Sequence, residues 1–99
     1  MNAAAEEILS YLRDNKDLLY EQFGVTRIGI FGSFARGDQT PGSDLDIVVD
    51  IEAGKKDLHT FLNLKRFLES KTARRIDLGL ERSIKPAIKD KVLNQVIYA

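Results

Sequence analysis

The distribution of apolar and polar residues predicts a chain in which helices and short strands alternate. Apolar residues recur every three to four positions near both ends of the chain and in the stretch after Asp57, which is the spacing of a helix with one buried face. Short runs rich in Ile, Val and Leu are bounded by Gly, Pro or Asp, as is typical of strands. The predicted elements are helices over 3–13, 16–23, 58–70 and 86–97 and strands over 26–31, 44–51 and 75–80.

Single residues mark several of the predicted boundaries. Gly24 follows the second helix as a C-terminal stop, Asp57 is suited to the N-cap of the third, and Pro86 suits the first turn of the last. Gly29 lies inside the first predicted strand, where a glycine weakens the strand unless another backbone or a ligand must come close. We therefore expect a close approach at Gly29.

The connections between the predicted strands indicate how they pair. A short polar turn through Pro41 and Gly42 joins the first two strands and allows an antiparallel pair, whereas the helix before the third strand favours a parallel crossover. We expect an α+β fold in which a small mixed sheet carries its helices on one face and leaves the other open. A length of 99 residues suits one domain, residues 1–99, with a single core.

Three aspartates fall on the face that this arrangement leaves open. Side chains two positions apart in a strand point to the same side, so Asp44 and Asp46 project together, and the same alternation places Asp77 on the polar face of the third strand. Carboxylates on a common face repel one another unless a cation lies between them. Mg²⁺ binds such oxygens together with phosphates, and two ions about 4 Å apart can clamp the attacking and leaving oxygens of a phosphoryl displacement. The three aspartates are therefore candidate metal ligands and catalytic residues.

The turn after the first strand is the second candidate component of a site. Gly32 permits a close backbone approach, Ser33 adds a hydroxyl, and a helical turn over 34–36 would direct free amides at an anion. The segment lacks the Gly-Lys-Ser/Thr ending of a P-loop and is therefore not one. Its position eleven residues before the strand with the paired aspartates predicts a triphosphate cradle facing the metal site. Arg36 has two equally good interpretations: it binds phosphate, or it holds the loop to an aspartate.

Together these residues resemble a known family. Gly-Ser-x-Ala-Arg-Gly begins at Gly32, Ser-Asp-x-Asp begins at Ser43, and Asp77 follows within Ile-Asp-Leu. The pattern resembles the nucleotidyltransferase superfamily that includes DNA polymerase beta, and more closely the minimal nucleotidyltransferases, the MNT antitoxins that pair with HEPN toxins. The resemblance covers nearly the whole chain and implies a polymerase beta palm-like fold. The resemblance implies that Gly32 and Ser33 hold the nucleotide phosphates and that Asp44, Asp46 and Asp77 bind Mg²⁺. We add Arg36 and Ser43 as further candidates for nucleotide binding.

Composition narrows the range of partners. Lys plus Arg and Asp plus Glu both number 15, so the chain has no net charge apart from its one His, which argues against direct nucleic-acid binding. The absence of Cys excludes disulfides and thiolate metal sites. No apolar stretch approaches the ~20 residues of a membrane span, and the N-terminus is acidic where a signal peptide is basic. We expect a cytoplasmic protein. We interpret the basic pair Arg74 and Arg75, with Lys71, as a solvated helix end, and contact with a nucleotide or a partner is the less favoured alternative.

The resemblance also implies an activity, the transfer of AMP from ATP to a hydroxyl with pyrophosphate leaving. Because the chain ends one helix after the third predicted strand, we expect another protein to supply the acceptor, and the family implies a tyrosine of a HEPN toxin encoded nearby. The alternative is a binding module that neutralises its partner by masking it, with vestigial nucleotide binding. A free-standing enzyme acting on a small molecule is disfavoured for want of an acceptor domain.

Overall fold

The computed structural model describes residues 3–99, and its elements follow the predicted order with one addition at the C-terminal end. The helices are α1 (Ala3–Asp14), α2 (Lys16–Phe23), α3 (Gly32–Arg36), α4 (Leu58–Thr72) and α5 (Pro86–Gln95). The strands are β1 (Val25–Phe31), β2 (Leu45–Ile51), β3 (Ile76–Leu80) and β4 (Ile97–Tyr98). Short 3-10 turns cover Ala53–Lys55 and Glu81–Ser83.

The predicted helix boundaries at Gly24 and Asp57 are confirmed. Gly24 adopts a left-handed conformation with φ 71°, and its N–H donates to the carbonyl oxygen of Tyr20 at 2.9 Å, which closes α2. The Asp57 carboxylate accepts a hydrogen bond of 2.8 Å from the N–H of Thr60 and so caps α4. These two local signals fix where the chain enters β1 and where the crossover helix begins.

The four strands form one mixed sheet in the order β3-β2-β1-β4. β1 and β2 are antiparallel, as the short turn between them predicts, and β2 and β3 are parallel, as the α4 crossover predicts. The N-terminal ends of β2 and β3 therefore lie side by side, next to the C-terminal end of β1.

The prediction that the last helix runs to Ile97 is wrong. The helix ends at Gln95, and Val96 is extended with φ −71° and ψ 133°. Ile97 and Tyr98 then pair antiparallel with Ile30 and Gly29 of β1. Val, Ile and Tyr favour strands, and the exposed edge of β1 offers backbone groups that these residues satisfy, so the tertiary context overrides the helical spacing.

One face of the sheet carries the hydrophobic core. Ile28 and Ile30 of β1 lie opposite Val49 and Ile47 of β2, and all four are buried. The helical side chains that complete this core are Ala5, Ile8, Leu9, Leu12, Leu19, Phe23, Phe34, Leu64 and Leu68. The predicted α+β architecture, with helices packed on one face, is confirmed. Within residues 3–99, no helix combines the length and apolarity needed to cross a bilayer.

On the opposite face of the sheet, the C-terminal segment, residues 96–98, packs against β1 at Gly29. Val48 of β2 points to this face and lies between Gly29 of β1 and Gly79 of β3. A Cβ at Gly29 would come within 2.7 Å of Val96 Cγ1 and 2.9 Å of the Ile97 carbonyl oxygen. The expected close approach of another backbone at Gly29 is therefore confirmed.

Alanine substitutions at Gly29 and Gly79 should distinguish the effect of this close packing on stability from the general effect of adding a methyl group to a strand. Gly29→Ala overlaps the C-terminal segment, and we expect it to destabilise the protein by ~1–3 kcal/mol. A Cβ at Gly79 meets no atom within 4 Å, so Gly79→Ala should change stability by less than ~1 kcal/mol. Urea denaturation measures both, and equal midpoints for the two variants would contradict the packing of Val96 and Ile97 on Gly29.

Candidate active site

The strands that carry the candidate carboxylates lie next to each other at one end of the sheet. The parallel register of β2 and β3 places Asp46 directly opposite Asp77. Because residues opposite each other in a sheet project to the same side, both carboxylates lie on the face away from the core. Asp44 immediately precedes β2, and its side chain is half exposed. The structure thus pairs Asp46 with Asp77 and places Asp44 within electrostatic range of Asp46.

Asp46 is the electrostatically strained member of the group. The pKa of its carboxyl is raised from 3.8 to about 6, chiefly by partial burial and further by the negative charges of Asp77 and Asp44 and a hydrogen bond with Asp77. The positive charge of Arg36 opposes these effects without cancelling them. The site therefore holds more negative charge than its side chains neutralise.

Gly32 brings the turn after β1 against this carboxylate. Its φ is +70°, a conformation that residues with a side chain rarely adopt. A Cβ at Gly32 would lie 2.1 Å from Asp46 Oδ2 and 3.0 Å from its Cγ. The backbone of the predicted phosphate-binding turn can approach Asp46 only because residue 32 has no side chain.

Asp44 is already engaged by a cation. Arg75 Nε lies 3.2 Å from Asp44 Oδ1, and the two side chains are 81% and 50% exposed. Within residues 3–99, no three His, Asp or Glu side chains are grouped closely enough to ligate one ion as they stand. The predicted three-carboxylate metal set is therefore present as a close Asp46–Asp77 pair with Asp44 turned towards Arg75.

Arg36 contacts one residue that follows α3 and one at the end of α5. Its Nε donates to Asp38 Oδ2 at 3.2 Å, and its Nη1 donates to Gln95 Oε1 at 3.4 Å. The first contact corresponds to the interpretation in which Arg36 holds the loop to an aspartate. Because Arg36 also acts on the pKa of Asp46, its positive charge lies close to the carboxylates, and binding of phosphate by Arg36 stays a prediction.

The two serines assigned to the nucleotide both stabilise turns. The carbonyl oxygen of Ser33 accepts the N–H of Gly37 at 2.8 Å and so closes α3. The Ser43 hydroxyl accepts the N–H of Thr40 at 2.9 Å in the turn before β2. These contacts hold the loop on either side of the carboxylates, and direct binding of nucleotide by either serine stays a prediction.

The residues present fit a hard divalent cation. Carboxylate oxygens are the ligands that Mg²⁺ prefers. Burial and repulsion by Asp77 and Asp44 raise the pKa of Asp46, and a bound cation would offset both effects. Asp46 and Asp77 would hold it, and Asp44 would contribute once its carboxylate left Arg75. The donor set, the turn at Gly32 and the mixed sheet together are those of an enzyme that transfers nucleotidyl groups.

The chain belongs to the nucleotidyltransferase domain family, whose model matches residues 8–99. It is 43% identical over 93 residues to the protein adenylyltransferase MntA of Thermococcus cleftensis, an alignment that covers 94% of this chain and 93% of the relative. These findings confirm the resemblance to minimal nucleotidyltransferases and make the protein an enzyme of that class.

Solved structures show the same fold. A chain in a toxin–antitoxin structure with AMP-PNP has a TM-score of 0.70 and 28% identity, with 87% of this chain and 69% of that chain covered. A chain in the structure of a tri-AMPylated HEPN toxin from Shewanella oneidensis in complex with MNT antitoxin has a TM-score of 0.59 and 25% identity, with 96% and 67% covered. The predicted fold class is confirmed by both.

The ion pair between Arg75 and Asp44 is the feature of this site that the sequence pattern did not predict. The interpretation of Arg74 and Arg75 as a solvated helix end is incomplete, since Arg75 pairs with Asp44 and the Arg74 guanidinium lies 5.1 Å from the centre of the Phe34 ring. The available signal is the position of Arg75 two residues before Asp77, which in a parallel pair brings it level with the start of β2.

Proposed function

We propose that this protein transfers AMP from ATP to a hydroxyl on a partner protein, in a reaction that requires two Mg²⁺ ions. The observation that carries the proposal is the Asp46–Asp77 pair with the Gly32 backbone packed against it, which places a group of negative charges beside a turn. The similarity to a protein adenylyltransferase supports the adenylyl group, and the neighbour with AMP-PNP supports an adenine nucleotide.

Each carboxylate has a role in this proposal. Asp44, Asp46 and Asp77 would hold Mg²⁺, which neutralises the phosphates and orients the reacting oxygens. The Gly32–Ser33 turn and Arg36 would hold the triphosphate. The acceptor hydroxyl oxygen attacks the α-phosphorus, a new P–O bond forms, the bond between the α-phosphorus and the bridging oxygen breaks, and pyrophosphate leaves with that electron pair. Asp77, whose side chain is exposed, accepts the hydroxyl proton.

The proposed acceptor is a tyrosine of a HEPN-type toxin encoded nearby, which the modification would silence in the cytoplasm, where ATP is present. The neighbouring structure that contains a tri-AMPylated HEPN toxin with an MNT antitoxin supports this choice of partner. The competing function is neutralisation by masking alone, which needs neither ATP nor intact carboxylates.

Transfer of label from ATP tests the proposal. The protein is incubated with the purified partner, Mg²⁺ and ATP labelled on the α-phosphate, and we expect label on a tyrosine of the partner. Asp44→Asn and Asp77→Asn should each reduce the rate by at least ~100-fold, because each removes a ligand or proton acceptor from the reaction. Asp90→Asn, an exposed substitution on α5, is the matched control and should transfer label at the wild-type rate.

Two results would count against this function. If wild type and Asp77→Asn label the partner at equal rates, the Asp46–Asp77 pair takes no part in the reaction. Neutralisation of the toxin by both carboxylate variants, with no label transferred by the wild type, would favour masking.

A further inference from the structure

The backbone of Arg75 is held beside Asp44, while most of its side chain is exposed to solvent. Its carbonyl oxygen accepts the N–H of Leu45 at 2.9 Å, which ties the start of β3 to the start of β2. Its guanidinium reaches Asp44 at 3.2 Å, yet 81% of the side chain is exposed to solvent. An exposed ion pair of this kind contributes little to stability, so Arg75 can exchange its partner at low cost.

The charges around Arg75 are unevenly matched. Asp44 has a cation, whereas Asp46 and Asp77 face each other with their negative charge largely uncompensated. The other nearby cation, Arg36, is paired with Asp38 at 3.2 Å. Arg75 is therefore the cation at the edge of the carboxylate group whose release would free a metal ligand.

We propose that Arg75 is a positioning residue that exchanges partners when nucleotide binds: it holds Asp44 in the ligand-free protein and moves to the phosphate chain when Asp44 turns to the metal. The inference rests on the proposed function, since it requires Mg²⁺ and a nucleoside triphosphate at this site. A guanidinium suits both partners, because its planar fork binds carboxylate and phosphate in the same bidentate manner.

The proposed exchange of partners predicts that removal of Arg75 strengthens the binding of Mg²⁺ alone and weakens the binding of Mg²⁺ with AMP-PNP. Without Arg75, Asp44 has no competing cation, so Mg²⁺ alone should bind more tightly, by up to about fivefold. Mg²⁺ with AMP-PNP should bind more weakly, by about tenfold, because a charge-assisted contact with phosphate is lost. A purely structural role for Arg75 would weaken both, and a solvated arginine without a role would change neither.

Calorimetric titration of the full chain tests this with Arg75→Gln, the conservative Arg75→Lys and the control Arg66→Gln, which removes an exposed arginine from α4. Each variant is titrated with MgCl₂ alone and then with AMP-PNP in saturating Mg²⁺. We expect Arg75→Gln to show tighter Mg²⁺ binding and weaker AMP-PNP binding, Arg75→Lys to lie between it and the wild type, and Arg66→Gln to match the wild type.

Two sets of results would overturn the inference. If the wild type binds AMP-PNP and Arg75→Gln binds both ligands as the wild type does, or both more weakly, the partner exchange is wrong and the proposed function stands. If the wild type itself binds neither Mg²⁺ nor AMP-PNP, the proposed function fails and the role of Arg75 fails with it.

Discussion

Asp46→Asn should abolish transfer and at the same time stabilise the ligand-free protein at neutral pH. The amide is close in size to the carboxylate and can still bond to Asp77, but it carries no charge to hold Mg²⁺. We expect a loss in rate of at least ~100-fold, measured by transfer of label from ATP. The opposite effect on stability follows because the same substitution removes a charge that the folded protein tolerates poorly.

The effect on stability depends on pH in a defined direction. Folding raises the pKa of Asp46 from 3.8 to about 6, so the folded state favours the protonated carboxyl. This contribution is fully present below a pH of about 4 and is lost as the pH rises through about 6. At neutral pH the variant should therefore be more stable by ~1–2 kcal/mol, after a discount for the partial exposure of Asp46, or roughly 5–10 °C in Tm.

Thermal unfolding between acid and neutral pH, with and without MgCl₂, measures this difference. Wild type and Asp46→Asn should converge near pH ~4, and Mg²⁺ should raise the Tm of the wild type but not that of Asp46→Asn. The control Asp90→Asn changes an exposed aspartate on α5 and should follow the wild type throughout. A variant that is less stable than the wild type at neutral pH would show that favourable contacts, and not repulsion, surround the Asp46 carboxylate.

The positions of the carboxylates were predictable because they depend on short-range rules. Alternation along a strand places Asp46 on the polar side of β2, and a helical crossover makes β3 parallel to β2, so Asp77 falls on the same face. The helix ends at Gly24 and Asp57 were predictable for the same reason, since each depends on a single residue and its near neighbours.

The features that sequence did not reveal depend on contacts between distant residues. Val96, Ile97 and Tyr98 continue the helical spacing of α5, and only the free edge of β1 makes the last two a strand. The pairing of Arg75 with Asp44 depends on the register between β2 and β3, which the hydrophobic pattern does not fix to one residue. The family resemblance supplied the enzyme class and fold, and left these side-chain partners undetermined.

Gly32→Ala should reduce both the stability of the protein and the rate of transfer. The new Cβ would lie 2.1 Å from Asp46 Oδ2, so the carboxylate must move, and the φ of +70° adds a strain of ~1–2 kcal/mol for a residue with a side chain. A shift of about 1 Å in a catalytic group can reduce the rate ~100-fold. We expect a loss of that size in label transfer, together with loss of the stabilisation by Mg²⁺.

Substitutions at two other glycines distinguish the effect of backbone strain from the effect of the contact with Asp46. Gly24 also has a positive φ, of +71°, but the three atoms nearest to an added Cβ would be side-chain atoms of Glu52 and Lys55, each at 3.0 Å. We therefore expect Gly24→Ala to lose stability and keep the response to Mg²⁺. A Cβ at Gly42 meets nothing within 4 Å, so Gly42→Ala should resemble the wild type in both respects. If Gly32→Ala lost stability as Gly24→Ala does but retained transfer and the Mg²⁺ response, the close contact between residue 32 and Asp46 would have no part in forming the site.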